Sequence, residues 1–402
     1  MSLTLRSPAA AVIGAFACIL LNPAVVGFFS FTIFFTTLAK ELGYGRGVMG
    51  LAITIGTLAA AAAAPIVGRL TDRRGSRRVI LIGVPALAVL LCEMPTLCKS
   101  LIGLYFGFAL VGILVAFYYV PLPRVIASWF DARRGLALGF VMAGTGAGSA
   151  IMSPIIASVT ASAGWQTSYL VLAAGVAVIS LPCALLFVHD PAGSVAGPAT
   201  RDLQGEKPHI TRQLLILALA YFFIGLSLDG MVINFFPMVT GRGISGAEAA
   251  SLFSVASIAM FVGRIGCGYL LDMLPANRVG SVIIAGSGAG IAMLQFGNST
   301  PQLMLGAVLF GLGVSTELDL ISYIISRIYP IESFSRFFSF VYAFFMIGTS
   351  AGPPVLGGLY DWLGSNVIGS SVAAAAAVLA ALSLAAMLPT PTHSMVMREV
   401  LE

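Results

Sequence analysis

Apolar runs of about 20 residues follow one another along almost the whole chain, and coiled as helices they match the roughly 30 Å hydrocarbon thickness of a bilayer. Twelve can be marked, at 10–38, 47–69, 77–97, 101–129, 134–161, 166–188, 213–240, 246–271, 277–297, 301–328, 334–360 and 365–388. A helix satisfies its own backbone N–H and C=O groups, as hydrocarbon requires. The sequence therefore predicts an all-α membrane protein of twelve transmembrane helices. Only 9% of the 402 residues are charged, against roughly 25% in a soluble domain.

Several function classes drop out. The net charge of +5 comes without a basic tract, so nothing suggests nucleic acid. The five cysteines, Cys18, Cys92, Cys98, Cys183 and Cys267, form no C-x-x-C pair and read as free thiols in apolar spans. His189, His209 and His393 are too scattered for a metal site. No nucleophile elbow, zinc-protease motif or phosphate-binding loop occurs. We expect no enzyme, no metal and no cofactor. The first span is too long for a signal-peptide core and is expected to be retained.

Lys and Arg gather on one side of the predicted topology. Arg6, Arg69, Arg73, Arg74, Arg77, Arg78, Arg133, Arg134, Arg201, Lys207, Arg212, Arg278, Arg327, Arg336 and Arg398 fall there; Lys40, Arg46, Lys99 and Arg242 fall opposite. By the positive-inside rule the first side is cytoplasmic, with both termini and the central linker. That linker, "HDPAGSVAGPATRDLQGEKPHIT", is polar and rich in Pro and Gly, and it divides the chain into 1–190, 191–211 and 212–402. The two halves repeat: "GRLTDRRGSRRV" from Gly68 returns as "GYLLDMLPANRV" from Gly268, and "AGTGAGS" from Ala143 returns as "IGTSAGP" from Ile347. Two related six-span bundles are the sequence form of a transporter built from parallel repeats.

The stretch "GRLTDRRGSRR", with its degenerate copy and the Gly-rich fifth and eleventh spans, resembles the major facilitator superfamily. The resemblance implies two pseudo-symmetric six-helix bundles and a gating role for Asp72, Arg73, Arg78, Asp272 and Arg278, the Asp capping and pairing with basic neighbours. Within the superfamily, "KELGYGRGVMG" at Lys40, "ASWFDARRGLALG" at Ala127 and "FVGRIGCGYLLD" at Phe261 resemble the monocarboxylate porter and oxalate/formate antiporter branch. That likeness implies that Arg264 binds a substrate carboxylate and that Tyr119 contacts substrate. It also shows departures. A Lys that the oxalate exchanger has in span eleven is matched by Phe345, and an acid that animal porters carry four residues before the Arg is matched by Met260.

Three deep acids and one deep cation carry the rest of the reading. Arg264 lies eight residues before Asp272, about 12 Å from the cytoplasmic end of its helix, and its counterpart in the first half is Ala64. Arg keeps its charge and offers a fork of donors suited to a carboxylate; the alternative is a structural Arg paired with an acid on a neighbouring helix. Glu317 and Asp319 are also about 12–15 Å from a helix end, where each charge costs roughly 2.5–3.5 kcal/mol on the translocon scale. They must be paired, protonated or wetted. Two positions apart on a helix is about 200°, so one can face Arg264 and the other cannot. An acid displaced from Arg264 by a substrate carboxylate could take a proton; a static salt bridge is the alternative. Asp229, with Asn234, is a third deep acid, in line with proton coupling or an outer gate. Arg124 is expected to snorkel or to pair with Asp131 in a structural or gating role. Asn22 precedes Pro23 and either repairs the bend or faces substrate. Tyr323 is a midplane hydroxyl. Phe28, Phe29, Phe31, Phe34, Phe344 and Phe345 supply an apolar lining suited to an organic tail.

These readings converge on a secondary transporter of a small organic anion, a proton-coupled monocarboxylate symporter that works by alternating access. Its partners would be the anion, a proton and the lipid bilayer. It is expected to act as a monomer in a bacterial inner membrane. An anion exchanger of the oxalate/formate kind is the first alternative and a proton-coupled exporter of hydrophobic compounds the second. A sensor is disfavoured because no soluble domain is recognisable.

Overall fold

The computed structural model describes residues 7–31, 33, 38, 41, 43, 46–191 and 211–388. Arg6, Phe34, Lys40, Arg201, Lys207, His209, His393, Arg398 and nearly all of the 191–211 linker lie outside the described residues. Among those described, eleven helices are long and apolar enough to cross a membrane: α1 (Pro8–Phe29), α2 (Leu51–Arg74), α3 (Ser76–Leu97), α4 (Leu101–Trp129), α5 (Arg134–Phe187), α6 (Arg212–Thr240), α7 (Ala247–Met273), α8 (Ala276–Phe296), α9 (Thr300–Ile328), α10 (Phe334–Tyr360) and α11 (Asn366–Ala385). α5 runs for 54 residues, about 80 Å if continuous and far beyond one crossing. Gly164 interrupts it at φ 84°, ψ 164°, a backbone conformation that a side chain resists. Each of its two parts has the length of a crossing. The eleven helices and the twelve expected spans thus differ by this one merged element.

The helices gather into two units. One comprises Met1–Asp131, Phe140–Lys207 and Pro330–Ser339; the other comprises Ala132–Gly139, Pro208–Tyr329 and Phe340–Glu402. Each unit therefore takes in the start of a helix from the other half of the sequence: α10 begins in the first unit and α5 in the second. Large apolar side chains point outward, Ile102, Val178 and Val282 among them, as a surface bathed in lipid requires.

The sequence repeat is a packing repeat. In the first unit α2 packs on α4, and in the second α7 packs on α9. Both crossings are tight enough that a Cβ on Gly112 would strike the Gly56 carbonyl and one on Gly311 the Ala256 carbonyl. Small residues that let backbones approach are the rule where lipid supplies no hydrophobic drive for helix association. The second repeated stretch does the same on another face. Gly148 of α5 lies against the Leu20 carbonyl of α1, and Gly348 of α10 against the Phe222 carbonyl of α6.

A break in α1 shows how the chain repairs itself. Pro23 has no N–H to donate to the Ile19 carbonyl, four residues back. Asn22 Nδ2 donates to that carbonyl instead, at 2.6 Å, and Asn22 Oδ1 accepts from the N–H of Ala24 at 2.8 Å and of Val25 at 3.2 Å. The helix then continues through a π-turn, Ala24–Phe29; another, Gly225–Asp229, lies at the matching place in α6, the first helix of the second half, and Val176–Ser180 forms one in α5.

Gly348→Ala should destabilise the purified protein by about 1–3 kcal/mol, the usual scale of overpacking, read as a lower melting temperature in detergent. Gly146→Ala, where an added Cβ meets nothing within 4 Å, should leave the melting temperature unchanged.

Candidate functional site

The first repeated motif turns out to be a capping device. A helix begins with N–H groups that lack partners, and α10 meets this need with a side chain from α2. The Asp72 carboxylate accepts from the N–H of Ser335 at 3.0 Å and of Arg336 at 2.8 Å. In the second unit Asp272, at the end of α7, accepts from the N–H of Gly135 at 2.8 Å and of Leu136 at 3.1 Å, in the first turn of α5. The negative carboxylate also suits the positive end of each helix dipole. The Gly four residues earlier shares the Asp's helix face. Gly68 admits Ser335 and Ser339, and Gly268 admits the backbone of Gly135. The spacing G-x-x-x-D is thus a close approach followed by a cap.

The expected partners of these acids change. Arg73, Arg78 and Arg278 are exposed, and the cation beside Asp72 is Arg124. Arg124 does not snorkel: it is 1% exposed, with Nε 3.5 Å from Asp72 Oδ1 and Nη1 3.8 Å from Asp190 Oδ1. Its Nε donates to the Ile331 carbonyl at 3.1 Å and its Nη1 to Ser76 Oγ at 3.2 Å. Asp190 also accepts from the backbone N–H of Arg77 at 3.0 Å, whose guanidinium donates to the carbonyls of Val188 and Leu185 at the end of α5. Asp190 was not foreseen, because it sits at the edge of the linker where a carboxylate reads as solvated.

Deeper in the first unit, Tyr119 and Asn22 share a partner. Thr145 Oγ1 lies 3.1 Å from the Tyr119 hydroxyl and accepts from Asn22 Nδ2 at 3.3 Å. Asn22 is fully buried and Tyr119 nearly so. In the second unit the equivalent position of the repeat is Thr349, whose hydroxyl donates to Asp229 Oδ2 at 2.5 Å. Neither threonine was singled out from sequence, although both lie in the repeated Gly-rich stretches, where the glycines held attention.

The deep charges of the second unit come together as three kinds of carboxylate. Asp319 is fully buried, with Oδ1 3.9 Å from Arg264 Nη1. That is an ion pair but looser than the roughly 2.7–2.9 Å of a hydrogen-bonded one, and neither Asp319 oxygen has a hydrogen-bond partner among the described residues. Asp229 is held by Thr349. Glu317 has a buried Oε1 with no such partner, and the charges within its reach are Asp229, Arg264 and Asp319. Of the two acids on α9, then, Asp319 is the one that meets Arg264. Asn234 donates to the Gly230 carbonyl of its own helix. Phe345 is buried edge-on against Tyr221 and tilted against Tyr342. Tyr323 is buried with the Arg327 guanidinium over its ring at 5.1 Å. Phe28 and Phe31 lie against Phe108, and Phe344 against Phe340. Cys18, Cys98 and Cys267 are buried free thiols. No group of acids, cysteines and histidines among the described residues could hold a metal.

Arg124→Gln should cost about 3–5 kcal/mol, because it strands the buried Asp72 carboxylate, and the half-buried Asp190 beside it, without their shared cation. Arg73→Ala, on an exposed residue of the same motif, should stay within about 0.5 kcal/mol. Thermal unfolding of the two variants in detergent checks the contrast.

Comparison with known proteins places this geometry. The family model of the Major Facilitator Superfamily matches residues 15–294 and 217–396. Human monocarboxylate transporter 11 is 27% identical over 316 residues, covering 75% of this chain and 67% of that protein. An MFS-type transporter of Gibberella moniliformis is 26% identical over 318 residues, covering 75% and 72%. Among solved structures, the human organic anion transporter MFSD10 aligns with a TM-score of 0.73 at 14% identity, covering 96% of this chain and all of that one. The Escherichia coli fucose:proton symporter FucP aligns with a TM-score of 0.71 at 12% identity, covering 94% and 99%. This chain is a multi-pass membrane protein and belongs to the Major Facilitator Superfamily, a family of transporters rather than enzymes.

Proposed function

We propose that the chain carries a small organic anion, a monocarboxylate, across the membrane together with a proton. The observation behind this is the half-buried Arg264 on α7, loosely paired with the fully buried Asp319 on α9. A guanidinium at that depth is a standing demand for an anion. Asp319 meets the demand at a distance that a substrate carboxylate could improve on. The relatives named as monocarboxylate transporters support the same substrate class.

Roles follow from position. Arg264 is the substrate counter-ion. Tyr119, Asn22, Phe345 and Tyr323 contribute to recognition, directly or through the residues they hold. Asp229, Glu317 and Asp319 are the candidates for proton coupling. Movement of residues 1–190 against 212–402 would alternate access, with the Asp72 and Asp272 caps, Arg124 and the surrounding Arg73, Arg78 and Arg278 as the gating set. The Arg-rich side faces the cytoplasm, with both termini and the 191–211 linker, and the protein works as a monomer. The bacterial inner membrane is the setting we carry forward from the sequence; the relatives compared are animal and fungal.

Uptake of labelled lactate, pyruvate and benzoate into proteoliposomes, with and without an inside-alkaline pH gradient, tests the proposal. Accumulation above equilibrium is expected only with the gradient. Arg264→Ala should lower uptake about 30-fold or more, since losing one member of a buried charged contact costs about 2–5 kcal/mol at roughly 1.4 kcal/mol per tenfold. Uptake that requires preloaded anion would instead make the protein an exchanger. Absence of carboxylate uptake under both conditions would favour the exporter.

A further inference from the structure

The Arg-rich end of α2 carries arginines that the Asp72 cap does not use. Asp72 turns its carboxylate to the N–H groups of Ser335 and Arg336 and to the Arg124 guanidinium. Arg69 and Arg73 are exposed, as are Ala62 and Ile66 before them. Steps of four, three and four residues put these side chains on one face of the helix. That face is apolar as far as Ile66, which is 65% exposed, and basic from Arg69 onward. We propose that Arg69 and Arg73 of α2 and Arg336 of α10 form a binding site for the phosphate of an anionic phospholipid in the leaflet on the Arg-rich side.

The three guanidiniums belong to one unit and gather although they repel. The charges within reach of Arg336 are Arg69, Asp72 and Arg73. The backbone accounts for the gathering. α2 and α10 cross so closely that a Cβ on Gly68 would strike the Ser335 carbonyl and the Ser339 hydroxyl, and Arg69 is the next residue along. The acid of the group, Asp72, is already engaged by Arg124 and by two N–H groups. Among the described residues Arg69 makes one hydrogen bond, from Nε to the Pro65 carbonyl at 3.2 Å, and neither Arg69 nor Arg73 forms an ion pair. Like charges held this close by their helices favour an anion set between them. Arg69 and Arg73 are one turn apart, about 6 Å along the axis, and the guanidinium fork matches phosphate oxygens.

The surroundings favour a lipid over a free phosphate. Ile66 and Ala62 continue the face that carries the arginines, so a headgroup held there lays its acyl chains on exposed apolar side chains. α3 shows the same order: Arg78 is exposed, and Ile82, one turn deeper, is 50% exposed. Both helices thus pass from lipid-facing apolar residues to arginine at one level, the level of the headgroups. A soluble phosphate gains the charge contact without the apolar one. A lipid phosphate shared by α2 and α10 ties together the same two helices that the Asp72 cap joins, and so reinforces the cap from outside.

The test uses full-length protein stripped of lipid in a neutral detergent and titrated with phosphatidylglycerol, phosphatidylcholine or inorganic phosphate, the melting temperature being read. For the wild type we expect a saturable rise with phosphatidylglycerol and none with the other two. The triple variant Arg69→Gln, Arg73→Gln, Arg336→Gln keeps the backbone N–H groups that Asp72 needs. Its half-saturating lipid concentration should rise about 100-fold, at about fivefold for each basic group beside an anionic lipid. The double variant Arg133→Gln, Arg212→Gln removes two exposed arginines elsewhere on the Arg-rich side and should stay within about threefold of the wild type. An unchanged half-saturation in the triple variant overturns the proposal. So does an equal loss in the double variant, which would make the effect one of general charge. A wild type stabilised equally by phosphatidylcholine overturns it without any variant, so a poorly folding triple variant does not shelter it. An equal rise with inorganic phosphate would make the ligand a soluble anion and overturns the lipid assignment.

Discussion

Hydrocarbon has no water to lend, and the structure is organised around that scarcity. At several interruptions of the helical ladder a side chain supplies the missing partner. Asn22 replaces the N–H that Pro23 lacks. Asp72 and Asp272 serve the opening turns of α10 and α5. At the far end of the scale the Arg242 guanidinium donates to the carbonyls of Leu294 and Gly297, where α8 runs out. Each repair is local, and each fixes where one helix can sit against the next.

The repeated sequence builds a symmetric frame and then departs from it at two places. Close crossings at Gly112 and Gly311 are alike in the two units, and so are the carboxylate caps. At the equivalent threonines the symmetry fails: Thr145 meets the neutral Asn22 and Tyr119, whereas Thr349 meets the acidic Asp229. At the repeat offset of 200 residues, Ala64 in one half stands where Arg264 stands in the other. The first unit offers neutral hydrogen-bonding groups at depth and the second offers charge.

Much of the fold could be read from the sequence because a bilayer permits so few solutions. Run length alone placed the helices, and the one mismatch in their number comes from a single glycine, Gly164, at which two crossings remain joined. The G-x-x-x-D repeat by itself points to a paired structural role; that its Asp caps comes from the family resemblance, and neither names the N–H groups that are capped. A carboxylate bonded to backbone N–H groups has a partner that no side-chain pattern records, and the sequence does not single out Arg124 from Arg73 and Arg78 as the cation beside Asp72. From sequence Arg124 can snorkel or pair with Asp131, because its helix end is close. Its burial depends on Asp72 and Asp190, 52 and 66 residues away in the chain. Thr145 and Thr349 escaped for a related reason: a hydroxyl among glycines has no meaning until the facing helix is known.

The carboxylates themselves now fall into two classes, and the difference between them is physical rather than positional. Asp72 and Asp272 each receive two backbone N–H bonds. These donors cannot turn away without unwinding the helix they belong to, so such an acid is held for as long as its helix stays in place. Among the described residues Asp319 has a guanidinium at 3.9 Å and no hydrogen bond to hold the geometry. A side chain held by long-range attraction alone can exchange that attraction for another at little structural cost, and a second anion competes for the same cation on equal terms. The caps are suited to change only when whole helices move. The Asp319 contact is suited to change when a small ion arrives. A transporter needs both kinds of event, and this chain builds them from the same side chain by controlling what stands within hydrogen-bond reach of it.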